Sequence, residues 1–254
     1  MSVRVFVPGD SGARAVGADD VAVALTTEAS TRGLDVEIVR NGSRGMYWLE
    51  PLVEVATAGG RCAYGPVRAS DVPGLFAADF LGGRPHPLRL GPVSEIPYLR
   101  KQERLCCARL GVIDPLNLDD YLANDGYVGL RAALALQPAA IVQQVTDSGL
   151  RGRGGAAFPT GIKWRTVLGA PGTGDGQKYV VCNADEGDSG TFADRMIMEG
   201  DPFVLIEGMT IAAIAVGATK GYIYIRSEYP HAVTAMNAAI AAARRAGYLG
   251  AGIG

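Results

Sequence analysis

The run Gly149 to Trp164, GLRGRGGAAFPTGIKW, most constrains what this chain can become. It packs five glycines, two arginines, one lysine and one phenylalanine into sixteen positions, a mixture that core packing does not require. Glycines lack Cβ atoms, so their amides can approach a ligand closely and adopt positive φ. Gly152, Gly154 and Gly155 can therefore turn several N–H groups toward one anion, with Arg151, Arg153 and Lys163 adding charge. The helix expected from Ile162 presents its N-terminal amides to the same point. Phosphate or pyrophosphate is the natural guest, and Phe158 offers a flat face for an aromatic ring. A flexible surface loop with a buried phenylalanine is the plainer alternative.

About twenty residues later comes Cys182 to Thr191, CNADEGDSGT, where an expected strand ends in Asn183, Asp185, Glu186 and Asp188. Ligands of open α/β sheets sit beyond the carboxyl ends of strands, so polar contacts belong here. Asn183 can donate and accept, whereas Asp185 and Glu186 can accept from ribose hydroxyls or ring N–H groups. The competing reading is a solvated acidic turn.

Two familiar patterns fail on context. Gly152-x-Gly154-x-x-Ala157 formally fits the dinucleotide fingerprint, but that motif needs a strand before it and an acidic residue at the end of the next strand. Here a helix precedes it, and Asp175 falls in a turn before the strand. Gly187-Asp188-Ser189-Gly190 resembles a serine-protease nucleophile segment, yet the upstream histidine, His86, lies between two prolines in an α/β setting.

Alternating elements set the fold class. Val3–Val7, a helical stretch from Gly17 to Gly33, Asp35–Val39 and the pair Leu52–Thr57 and Arg61–Tyr64 read as strand, helix, strand and hairpin. Four prolines between Leu81 and Pro97 preclude a long regular element there, and a linker is expected. Helices at Pro138–Gly149, Ile162–Leu168, Phe203–Val216 and Ala232–Ala246 then alternate with strands at Lys178–Cys182 and Gly221–Ile225, the pattern of a largely parallel sheet. The expected organisation is α/β, with a first domain over 1–95, a linker and lead-in over 96–128, and a second domain over 129–254.

Composition narrows the function. A net charge of −2 across 254 residues gives no general reason to bind nucleic acid or an anionic membrane. The longest apolar stretch, Phe203–Ala218, contains Glu207 and is too short for direct membrane insertion. Cys62, Cys106, Cys107 and Cys182 form no CxxC pair, and only His86 and His231 join them as soft ligands. No complete metal or iron–sulfur site is expected, and without a secretory signal a cytoplasmic address is the default.

GLRGRGGAAFPTGIKW together with CNADEGDSGTFADR, and the stretch Asp114 to Ala135 before them, resemble the family of NADH- and flavin-binding subunits found in respiratory complex I, NAD-reducing hydrogenases and NAD-dependent formate dehydrogenases. The resemblance covers Glu103 to Gly254. It implies a Rossmann-like FMN- and NAD(H)-binding domain, represented by its first part. FMN would exchange hydride with NAD(H) and electrons with a [4Fe-4S] cluster in a C-terminal part that follows. Carried across, Gly152, Arg153, Gly154 and Lys163 would contact FMN. Gly155 and Phe158 would face the dinucleotide, with Phe158 on adenine. Asn183 and Asp185 would hold the flavin, and Glu186 would lie near the reacting rings as the catalytic residue. Asp188 replaces the family's usual glutamate beside the nucleotide, and Thr166 replaces an aromatic residue.

The N-terminal part resembles the thioredoxin-like [2Fe-2S] domain that partners this family. Where that domain has GCxGxCxxEP, this chain has Gly42-Ser43-Arg44-Gly45-Met46-Tyr47-Trp48-Leu49-Glu50-Pro51, so Ser43 and Tyr47 stand at the ligand positions. Such a cluster-free domain fused to EGDSGTFADR most resembles the diaphorase (beta) subunit of a molybdenum- or tungsten-containing formate dehydrogenase. The implied partners are a thioredoxin-like iron–sulfur gamma subunit and a molybdenum or tungsten catalytic alpha subunit. Complex I, NAD-reducing hydrogenase and a non-catalytic docking module are the alternatives. The family's YxxGEE segment and CxxCxxC-type motif do not occur here. The chain is thus expected to be an N-terminal portion, holding FMN weakly or not at all by itself.

Overall fold

Val3 and Val5 alternate with Arg4 and Phe6, and this β-branched run forms an interior strand of the N-terminal sheet. In the computed structural model, which describes residues 2–253, the first half runs β1 (Val3–Phe6), α1 (Ser11–Arg14), α2 (Ala18–Thr31), β2 (Val36–Val39), β3 (Val53–Thr57), β4 (Gly60–Tyr64), α3 (Val72–Ala77), β5 (Arg89–Pro92), α4 (Pro97–Arg100) and α5 (Leu118–Ala123). The second half runs α6 (Val128–Leu134), α7 (Pro138–Asp147), α8 (Thr160–Gly169), β6 (Tyr179–Ala184), α9 (Asp194–Gly200), α10 (Pro202–Val216), β7 (Lys220–Ile225) and α11 (Pro230–Arg245). The chain divides into two compact units. One holds the residues up to Tyr121 together with Arg195–Asp201, and the other holds Leu122–Asp194 with the residues from Pro202 onward.

The first unit carries a five-stranded sheet in the order β2-β1-β3-β4-β5. β1 and β2 are parallel, because α2 carries the chain back across the sheet between them, and the remaining pairs are antiparallel. Val21, Leu25 and Ala29 fall at four-residue intervals on α2 and are buried in the main apolar core with Val5, Val53, Val55, Tyr64, Leu75 and Phe80. The proline-rich stretch read as a linker contains β5, which pairs with β4 through Cys62↔Pro92 and Ala63↔Gly91. Pro92 is tolerated because β5 is an edge strand, where a missing N–H breaks no ladder.

The same unit holds a set of buried charges. Glu54, 1% exposed, accepts from Arg44 Nε at 2.5 Å and from Arg61 Nη1 at 3.2 Å. Arg61 also donates to the Gly111 carbonyl, and burial pushes its guanidinium below the usual range. α9 contributes to the same unit. Glu199 accepts from the Ser11 amide at 2.6 Å, Asp201 accepts from Arg109 Nε at 2.8 Å, and Gly200 lies so close to Gly42 that a Cβ on Gly42 would stand 2.7 Å from the Gly200 Cα. α9 leaves no periodic signal in the sequence, because the residues it buries, Arg195, Met198, Glu199 and Gly200, form no apolar stripe.

Ser43 and Tyr47, at the positions where the resembling domain has cluster cysteines, serve a hydrogen-bonded interior. The Ser43 amide donates to Asp10 at 2.5 Å, its hydroxyl donates to Glu50 at 2.6 Å, and it accepts from the Gly45 amide at 3.0 Å. Tyr47 packs against Gly12. Burial pushes the Asp10 carboxyl up and the Glu50 carboxyl up to about 7.

The second unit is built around α10, which packs against α6, α7, α8, α11 and both strands. Its one acid, Glu207, is buried and accepts from the Tyr127 amide at 2.8 Å and the Leu130 amide at 2.9 Å, satisfying the otherwise open N-terminus of α6. β6 and β7 pair in parallel from Tyr179↔Lys220 to Ala184↔Ile225, as the alternating pattern predicts. Tyr179, Val181, Tyr222 and Tyr224 are exposed on this two-stranded sheet. Among the described residues, no helix is long and apolar enough to cross a membrane.

Candidate functional site

The glycine-rich run folds into a loop whose two ends are joined by backbone pairing. Arg151 and Pro159 form an antiparallel bridge. The Gly152 amide donates to the Phe158 carbonyl and the Thr160 amide to the Leu150 carbonyl, each at 2.9 Å. Arg151 Nη1 also reaches the Ala157 carbonyl at 3.0 Å. Gly155 has φ +105°, a conformation reserved for glycine, and a Cβ built on Gly154 or Gly155 meets nothing within 4 Å. Open space therefore lies over these backbones, as an approaching ligand requires. α8 begins directly after this loop, at Thr160.

Arg153 and Lys163 are both exposed, and neither has an ion-pair partner among the described residues. Lys163 Nζ lies 5.8 Å from the centroid of the Phe158 ring. Phe158 is 44% exposed, which overturns the alternative of a buried anchoring phenylalanine. Two unpaired cations, a glycine backbone with open space above it and an accessible ring fit a phosphorylated aromatic ligand.

The second motif forms the turn beyond the carboxyl end of β6. Asn183 Oδ1 accepts from the Asp185 amide at 3.1 Å, and Asp188 Oδ1 accepts from the Gly190 amide at 3.3 Å, so two short side chains shape the backbone. Glu186 has φ +43° and is only 8% exposed, an unusual state for a residue with a Cβ. Its carbonyl accepts from the Tyr229 hydroxyl at 2.8 Å. Asp185 Oδ1 pairs with Arg226 Nε at 3.2 Å. The segment is thus a constrained turn that buries Glu186 while leaving Asp185 half-buried and Asp188 exposed.

Two groups flanking this turn are shifted. Burial, then the Glu186 carboxylate, pushes the Asp194 carboxyl above its ordinary value. Burial, then Asp194, does the same to the Cys182 thiol, which leaves it a poor nucleophile. Among the described residues, no group of three or more His, Cys, Asp or Glu side chains is placed to hold a metal ion.

The structure assembles the candidate residues in two groups within one unit. Gly152, Arg153, Gly154, Gly155, Phe158 and Lys163 share the loop and first turn of α8, while Asn183, Asp185, Glu186 and Asp188 share the turn after β6. Neither group lines the apolar cavity of about 1030 Å³ among α10, β7 and α11, where Ile206, Met209, Ile223 and Met236 are found. The ordinary dinucleotide fold is absent at the glycine loop. α7 precedes it, and Asp175 sits in a turn accepting from Thr173 Oγ1 at 2.8 Å and the Gln177 amide at 3.0 Å. Arg226 and Tyr229 were missed from sequence. The available signal was position, since Arg226 immediately follows the carboxyl end of β7, beside β6.

Several known proteins are similar to this chain over part of its length. The chain is 51% identical over 154 residues to the HndC subunit of the NADP-reducing hydrogenase of Solidesulfovibrio fructosivorans, covering 61% of this chain and 31% of that protein. It is 54% identical over 137 residues to an NADH-quinone oxidoreductase subunit of Rhizobium meliloti (strain 1021), covering 54% and 32%. With the HoxS subunit alpha of the NAD-reducing hydrogenase of Cupriavidus necator it shares 44% identity over 125 residues, covering 49% and 20%. The chain spans about a third or less of the length of these relatives. Residues 145–251, which include every candidate site residue, match the model of the family described as the Nuo51 FMN-binding domain.

Proposed function

We propose that this chain supplies the FMN- and NAD(H)-binding part of a diaphorase subunit in an NAD-dependent formate dehydrogenase. The observation that carries the flavin assignment is the match of residues 145–251 to the FMN-binding domain family, supported by the unpaired Arg153 and Lys163 beside open glycine backbone. FMN, when bound, supplies the exchange between hydride and single-electron transfer. The chain's own residues bind and orient. Arg153 and Lys163 hold the phosphate, Gly152 and Gly154 let the backbone approach the flavin, and Asn183 and Asp185 hold its polar edge. Gly155 and Phe158 receive the dinucleotide, Phe158 stacking on adenine, and Asp188 takes the ribose end. Glu186, buried and fixed by its backbone, borders the reacting rings.

The assignment to formate rests on the cluster-free interior around Ser43 and Tyr47 joined to the EGDSGTFADR form of the motif. The partners in this reading are a thioredoxin-like iron–sulfur subunit and a molybdenum or tungsten subunit, in the cytoplasm. The relatives, subunits of hydrogenases and of NADH-quinone oxidoreductase, support equally a second reading, the corresponding subunit of an NAD-reducing hydrogenase or of NADH-quinone oxidoreductase. One experiment separates them: the complete complex, purified through this subunit, is assayed for NAD+ reduction by formate and by hydrogen and for NADH oxidation by quinone. Formate-dependent reduction alone supports the proposal, and activity only with hydrogen or quinone overturns it. A complex without flavin or NADH oxidation would leave a docking module.

A further inference from the structure

Three consecutive residues of the acidic turn are each held by a group from one short segment that follows β7. Arg226 Nε pairs with Asp185 Oδ1 at 3.2 Å, Arg226 Nη1 donates to the Gly187 carbonyl at 3.4 Å, and the Tyr229 hydroxyl donates to the Glu186 carbonyl at 2.8 Å. The segment is itself well anchored. The Tyr229 amide donates to the Arg226 carbonyl at 3.2 Å, the Tyr229 carbonyl accepts from Val233 at the start of α11, and the Tyr229 side chain is buried.

Two physical needs explain this arrangement. Glu186 occupies a left-handed backbone conformation, which is unfavourable for a residue with a Cβ and persists only where the surroundings over-determine it. The Tyr229 hydroxyl, fixed on a buried ring, does so at the strained residue. The turn carries Asp185, Glu186 and Asp188, Asp194 follows at the start of α9, and the Asp194 carboxyl is raised by burial and then by Glu186. An anionic cofactor beside four carboxylates is unfavourable unless some charge is cancelled, and Arg226 is the cation that pairs with Asp185. About a third of each partner is exposed, so the pair contributes little to global stability. Its effect is to orient the Asp185 carboxylate and cancel its charge.

We infer that Arg226 and Tyr229 are positioning residues of the flavin site: Tyr229 fixes the backbone of Glu186, and Arg226 orients and neutralises Asp185. The inference rests on the flavin reading above.

The test uses the complete complex, stripped of FMN and titrated with it by flavin fluorescence, followed by redox titration of the bound flavin. Wild-type complex that takes up no FMN would sink the flavin reading itself. Given wild-type uptake, Tyr229→Phe is expected to weaken FMN binding about fivefold, the loss of one hydrogen bond. Arg226→Gln is expected to weaken it about tenfold or more and to move the flavin potential in the negative direction, since an uncompensated carboxylate opposes reduction. Arg226→Lys should restore part of both effects, and adding Asp185→Asn to Arg226→Gln should return the potential toward wild type. Wild-type affinity in both single variants overturns the inference. So does weakened binding in Arg226→Gln with an unchanged potential and no rescue by lysine, which marks a merely structural role.

Discussion

The Ser43 hydroxyl donates a 2.6 Å hydrogen bond to a carboxylate oxygen of Glu50, and both side chains are almost fully buried. A second Glu50 oxygen accepts from the Leu52 amide at 2.8 Å. Where the resembling thioredoxin-like domain carries cluster ligands, this chain therefore has a polar interior dominated by carboxyl groups.

That interior makes stability depend on pH. Burial raises Glu50 from 4.5 to about 7, so between those values the folded chain holds a proton that the unfolded chain releases. The contribution of this group to stability is highest below the lower value, falls as pH rises toward the upper one, and is level beyond it. The full span is worth about 3 kcal/mol. Asp10 is raised as well and acts with the same sign. Urea denaturation at pH 5 and pH 8 should show a clear loss at the higher pH, and Glu50→Gln should reduce that loss. An equal loss in both proteins would refute the assignment.

Glu54 joins Arg44 and Arg61 with almost no access to water. Removing its carboxylate leaves two partly buried guanidinium groups without their counter-ion. Glu54→Ala is expected to cost about 3–5 kcal/mol, read as a lowered denaturant midpoint of the N-terminal unit. A change within about 0.5 kcal/mol, the scale of an ordinary surface substitution, would show that the network contributes nothing.

Glu207 plays a comparable part in the second unit, where its carboxylate accepts from two amides at the start of α6. Glu207→Ala should destabilise by about 2–3 kcal/mol and speed hydrogen exchange at Tyr127 and Leu130 specifically. Glu207→Gln, which keeps one acceptor, should cost less. Uniform exchange in the alanine variant would argue against the capping role.

Lys163 tests the flavin assignment. In the complete complex, Lys163→Ala is expected to weaken FMN binding about tenfold to a hundredfold, the loss of a charge-assisted contact, and Lys163→Arg should retain most of it. Flavin content and NADH oxidation unchanged by the alanine variant would favour an interaction-only module.

Much of the second unit was legible because its signals are local. Pro138 starts α7, and α11, β6 and β7 appear within two residues of their expected limits. The glycine loop was legible for the same reason: residues without side chains at Gly154 and Gly155 announce backbone left open. α9 was illegible because two of the four residues it buries, Arg195 and Glu199, are charged and leave no apolar stripe, and β5 because prolines ordinarily mark a break. Arg226 and Tyr229 were hidden for another reason, since nothing in their own segment says that Asp185 and Glu186 lie opposite, some forty residues earlier in the chain.

By itself the sequence determined the alternation of strands and helices, the two motifs and the chemistry they can carry, because propensity, capping and side-chain type act over a few residues. Only the tertiary structure decided which charges are neutralised and which are left free. It pairs Asp185 with Arg226, puts Glu54 between two arginines, and leaves Arg153 and Lys163 without a carboxylate. Charge pairing depends on distance and burial, and both are set by packing rather than by order along the chain.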